Sequence, residues 1–108
     1  MIVLKKEKCY VARIIEWQGL KLVNICDKGL IGKTIRDEKI EMHISPNYFE
    51  GEFVNTEEAL LLIKSCSIAN LVGEKIVIEV IKAELASKHA VKKIGSTPFL
   101  MIFKFSRP

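Results

Sequence analysis

The stretch Gly29-Leu30-Ile31-Gly32-Lys33-Thr34 ends in the residue types that cradle a phosphate. Glycines let backbone N–H groups approach the ligand, and a lysine supplies charge. A phosphate-binding loop also needs a glycine five residues before Gly32, and that position is Asp27, whose carboxylate repels an anion. Residues 35–38 (Ile-Arg-Asp-Glu) are too short and polar a run for the long helix such a loop feeds. The expectation is therefore a tight turn with a solvated Lys33. His43 and His89 have no Cys, His or carboxylate at metal-ligand spacing, so no metal site is expected. Cys9, Cys26 and Cys66 are odd in number, widely spaced and outside any CxxC pair. They argue against a disulfide framework and for reduced thiols in a cytoplasmic protein. Spacing leaves a Cys26–His43 pair open, but a buried inert thiol is the commoner use of such a cysteine. Glu57 and Glu58 are adjacent acids that a helix start explains without catalysis. No acid/base constellation emerges, so the sequence leans away from an enzyme and implies no cofactor.

Charge is distributed unevenly. Residues 1–24 carry five basic and two acidic side chains, residues 25–81 six and ten, and residues 82–108 six and one. Two basic ends flank an acidic middle. If the first and last strands share one sheet, Lys5, Lys6, Lys8, Arg13, Lys21, Lys88, Lys92, Lys93, Lys104 and Arg107 would form a basic face. Nucleic-acid binding needs such a footprint; an ordinary solvated surface is the plainer alternative. Tyr10, Trp17 and Phe99 are the nearby aromatics, each suited to core packing as well as to stacking on bases.

These side chains are positioned by a short chain. At 108 residues, with 49 % hydrophobic and 28 % charged residues, it fits one globular domain that buries about 65 % of its unfolded surface. No run reaches the ~20 apolar residues of a membrane span. The N-terminus places charges after apolar residues, the reverse of a secretory signal. Residues 9–15 and 20–26 are β-rich and flank a link containing Gly19, which predicts a hairpin. Residues 27–34 predict a loop or one helical turn. Residues 39–44 alternate as a half-buried strand, ended by Pro46, and residues 48–54 hold a short strand or ordered loop. Asn55 or Thr56 caps a helix over 56–66, and a second helix is expected over 74–86. Residues 67–73 either begin that helix or approach it. Residues 90–94 and 99–105 predict two strands around Gly95-Ser96-Thr97-Pro98. In the last strand, Phe99, Met101, Phe103 and Phe105 share a face expected to be buried, opposite Leu100 and Ile102. The order β-β-β-α-α-β-β predicts an α+β fold: a mainly antiparallel sheet with two helices packed on one face.

Three blocks carry a resemblance: residues 25–34, residues 48–54, and Ser67-Ile68-Ala69-Asn70-Leu71-Val72-Gly73-Glu74. In this order and spacing the chain resembles the small archaeal proteins called domain of unknown function 424, over roughly residues 20–101. The family usually closes with a Pro-His turn; here Phe99 follows Pro98. The resemblance implies an archaeal cytoplasmic protein of this length and an α+β fold, and no activity. The blocks single out Asp27, Gly32, Lys33, Asn70, Gly73 and Glu74. As structure, Asn70 and Gly73 suit a cap and turn between two helices. As function, Asp27, Lys33, Asn70 and Glu74 would converge on one polar site. The leading expectation is a non-catalytic RNA- or ribosome-associated protein that contacts phosphates through its basic ends. The alternatives are a protein–protein adaptor using the acidic helical middle, and a small-molecule binder or enzyme at the four-residue cluster.

Overall fold

The structure is a computed structural model that describes residues 7–45 and 51–104. Strands β1 (Tyr10–Trp17) and β2 (Leu20–Asp27) pair antiparallel along their whole length, Tyr10 opposite Asp27 and Trp17 opposite Leu20. The two-residue loop between them holds Gln18 at φ 47° and Gly19 at φ 79°. Two successive left-handed residues match the twist of the flanking strands, and glycine adopts that geometry without strain. A 3-10 turn at Lys28–Leu30 leads to β3 (Thr34–Arg36), which pairs with β4 (Glu41–His43) as a separate two-stranded layer. Strand β5 (Glu52–Val54) joins the free edge of β1.

Helix α1 (Thr56–Ser65) starts from a capping box: the Asn55 side chain accepts from the Glu58 N–H, and the Glu58 carboxylate accepts from the Asn55 N–H. The next element differs from expectation. Residues 68–72 form strand β6 (Ile68–Val72), which lies in the middle of the sheet, parallel to β2 and antiparallel to β8 (Thr97–Phe103). Helix α2 (Glu74–Lys82) follows and stops at Lys82 rather than at residue 86, where Glu84 turns to φ 58°. A 3-10 turn at Lys88–Ala90 takes the first part of the expected strand over 90–94, leaving β7 (Lys92–Ile94) on the far edge. The sheet order is β5-β1-β2-β6-β8-β7. The fold is α+β, mainly antiparallel, but a strand separates the helices. Asn70 and Gly73 therefore do not form an inter-helix turn: Asn70 sits within β6.

Register sorts the side chains by face. One face carries Tyr10, Ala12, Val23, Ile25, Ala69, Leu71 and Leu100, packed on Ala59 and Ile63 of α1 and on Ile76, Val77 and Val80 of α2. Both helices lie on this side. On the opposite face, Cys26, Val72 and Ile94 pack under Ile35 and Ile44 of the β3–β4 layer. That layer covers only one end of the sheet. The last strand corrects the expectation in which its aromatic face is buried: Leu100 is 1 % exposed, whereas Met101 and Phe103 are 50 % and 51 % exposed. The Leu100 and Ile102 face is the one under the helices. Phe105 lies outside the described residues. In the 39–44 segment only Glu41–His43 pairs as strand; Ile44 is fully buried, whereas Ile40 is 51 % exposed.

Candidate functional site

Asp27 closes β2 at the end of the sheet where α2 begins. Its Oδ2 accepts from the Lys75 N–H at 2.8 Å and its Oδ1 from the Ile76 N–H at 2.9 Å. The helix needs this borrowed cap because its own N-cap is Gly73, which has no side chain to offer. Gly73 is required twice over. Its φ is 123°, and a Cβ there would lie 2.3 Å from Asp27 Cγ. Burial pushes the Asp27 carboxyl above the usual range, with the Lys75 and Ile76 N–H bonds pulling the other way.

Around Asp27 opens a cleft of about 760 Å³. Lys8, Lys28, Lys33 and Lys75 line it with Glu7 and Asp27, and Cys9, Gly29 and Leu30 complete the wall. Four cations thus meet two carboxylates, one of them occupied by the helix cap. All four lysines are exposed. The Lys28 ammonium also stands 5.5 Å from the Phe53 ring centroid, within cation–π range. On the other side of Asp27 a smaller recess of about 220 Å³ is lined by Glu74, Leu30, Ser96 and Thr97.

The singled-out residues therefore part company. Asp27, Lys33, Gly73 and Glu74 gather at this end of the sheet. Gly32, at φ 86°, serves the turn into β3: its N–H donates to the Ile44 carbonyl, and a strand rather than a phosphate-loop helix follows. Asn70 is elsewhere, on the face opposite the helices, where its Nδ2 donates to Asn24 Oδ1 at 2.9 Å. No single polar site joins all four of Asp27, Lys33, Asn70 and Glu74.

The expected basic face also separates. The N-terminal and C-terminal segments share one sheet, but four strand spacings, about 19 Å, separate β1 from β7. Arg13 and Lys92 point to the face away from the helices, Lys93 to the helix face. Lys88 lies in the 3-10 turn before β7. The Lys104 ammonium donates to the Ile63 carbonyl near the end of α1, and Lys21 reaches Ser65 Oγ at 3.3 Å. Both therefore serve the helix C-terminus, where cations are favoured. Lys5, Lys6 and Arg107 lie outside the described residues. Lys8 joins the cleft. Lys28 and Lys75 were hidden by the acidic average of residues 25–81. Their local signal was the position of each, one beside the end of β2 and the other in the first turn of a helix.

The remaining chemistry is quiet. Cys26 is buried and its thiol is pushed up to about 12 by that burial, and burial also raises the Cys66 thiol. His43 Nδ1 and Thr34 Oγ1 are 3.0 Å apart across the β3–β4 pair. Among the described residues, no three His, Cys, Asp or Glu side chains group as metal ligands would, and no helix is long and apolar enough to cross a membrane.

Residues 15–105 match the family described as Protein of unknown function (DUF424). No curated protein matches the chain. The fold is similar to that in a crystal structure of an uncharacterized conserved protein from Methanopyrus kandleri, at a TM-score of 0.73 and 19 % identity. The similarity covers 92 % of this chain and 94 % of that one.

Proposed function

We propose that this chain, which belongs to the DUF424 family, is a non-catalytic binding protein that holds the phosphate backbone of RNA, free or within a ribosomal particle, in its lysine cleft. The observation that carries the reading is the convergence of Lys8, Lys28, Lys33 and Lys75 on one open cleft. Lysine is a mobile point charge on a flexible stem, suited to sliding phosphates rather than to the bidentate grip that arginine gives one defined anion. The cleft is wide and open, so it admits a polymer backbone as readily as a small ligand. Its position, at the end of the sheet beside a capped helix start, fixes the backbone atoms while leaving the ammonium groups free to move.

The mechanism is electrostatic. Each ammonium that neutralises a phosphate releases a condensed counterion, so affinity falls as salt rises. For a single strand the slope of log affinity on log salt is about −0.7 per phosphate contact, or roughly −3 for four lysines. Fluorescence anisotropy of a labelled single-stranded oligoribonucleotide, titrated at several salt concentrations, reads this directly. A combined Lys28→Gln, Lys33→Gln, Lys75→Gln variant should bind more weakly and lose about two units of slope. Binding with no salt dependence, or a slope that this variant leaves unchanged, contradicts the reading.

A further inference from the structure

The face of the sheet away from the helices has two halves of different character. Its upper half, at the Cys26 and Val72 level, lies under the β3–β4 layer. In its lower half, register places Ile15, Leu22, Ile68 and Phe103 in one row across β1, β2, β6 and β8. Below that row stand Trp17 and Leu20, and above it Arg13, Asn24, Asn70 and Met101. Trp17 is 64 % exposed, and Leu20, Met101 and Phe103 are each about half exposed. A central pair of parallel strands is ordinarily covered on both faces. Here, among the described residues, Leu20 is exposed and Leu22, Ile68 and Asn70 are only half-buried on that face, while Asn24 between them is fully buried.

We propose that this half-face is the contact between two copies of the chain. Three observations select a second copy over other occupants. The first is charge. Arg13 is the single charged side chain in these rows, which disfavours a polyanion and lets two chains of net charge +4 meet where repulsion is least. The second is shape. The lower half adjoins the raised β3–β4 layer, so the surface is a step. A two-fold axis in the contact plane, perpendicular to the strands, seats each raised layer beyond the lower end of the other sheet. The middle row then stacks on itself, and Trp17 lies over Arg13 of the second copy, a cation–π arrangement. The third is area. With Ile15, Trp17, Leu20, Met101 and Phe103 exposing on the order of 100 Å² each, two copies bury about 1,000 Å², the lower bound for a specific interface.

Trp17 is the chain's one tryptophan, so its emission reports on this surface alone. Sedimentation velocity and intrinsic fluorescence of the full chain are measured across a concentration series. The expected result is a mass of twice 12.2 kDa at the upper end, with emission shifting to shorter wavelength as the dimer forms. Leu20→Lys and Met101→Lys, both at exposed positions, should each weaken association about tenfold or more. Leu61→Lys, exposed on α1 across the sheet, should leave it unchanged. Circular dichroism confirms that each variant is folded. A wild-type monomer at every concentration overturns the proposal, and so does a dimer indifferent to both sheet-face variants. A monomer whose tryptophan emission is quenched by an oligoribonucleotide also overturns it, and assigns the face to nucleic acid.

Discussion

Asp27 and Gly73 depend on each other. The carboxylate supplies the cap that a glycine N-cap lacks, and only a glycine leaves room for the carboxylate. The pairing accounts for two residues of the family blocks without any ligand. It also sets a pH dependence. Burial raises the folded pKa of Asp27, so between the ordinary carboxylate value and that raised value the folded chain holds a proton that the unfolded chain has lost. Stability from this group is then full at the acid side and falls as pH rises through the folded pKa. Denaturant unfolding of wild type and Asp27→Asn across the acid range should show the wild-type advantage shrinking with rising pH and then levelling off. An advantage that grows with pH would mean that the two N–H bonds prevail over burial. The sequence made Asp27, Gly73 and Glu74 visible as a group. It did not reveal that Asn70, three residues before Gly73, faces the other way, because that follows from strand geometry and residues 67–73 carried no strand signature. Asn24 shows the same gap: it is fully buried, and its Nδ2 has no hydrogen-bond partner among the described residues.

At the scale of elements, the hairpin, the capped first helix and the start of the second were legible because each rests on local chemistry: a Gly-containing link, an Asn-x-x-Glu box and an acidic first turn. Strand β6 was not. Its sequence, Ile-Ala-Asn-Leu-Val, lies centrally in the sheet with both faces largely covered, so no period-two alternation marks it. The face of β8 was misassigned because the larger aromatic side chains suggested the core, whereas burial is decided by which face meets α1 and α2. Paired substitutions on β8 test this assignment in dilute solution. Leu100→Ala should cost about 2–5 kcal/mol, the range for emptying a filled core site. Met101→Ala should stay within about 0.5 kcal/mol, as exposed positions do. Equal losses at the two sites, read from urea midpoints, would return the strand to the opposite face.

Over the whole molecule, polarity runs along the strands. One end gathers four lysines at the start of α2; the other leaves Trp17, Leu20, Met101 and Phe103 exposed on the sheet face beyond the β3–β4 layer. Segment charge placed the expected basic face at the chain ends. Folding instead separates the C-terminal lysines by the width of the sheet and recruits Lys28, Lys33 and Lys75 from the acidic middle. A linear average does not register that gathering. RNA binding in the proposed lysine cleft is tested most sharply by mapping where an oligoribonucleotide lands. Backbone amide shifts of the ¹⁵N-labelled chain are followed as the oligomer is added at low salt. The expected result is shifts concentrated at Lys8, Lys28, Gly29, Lys33 and Lys75, fading as salt is raised. Shifts confined to Lys92 and Lys93, shifts centred on Trp17 and Met101, or no shift at all would contradict it.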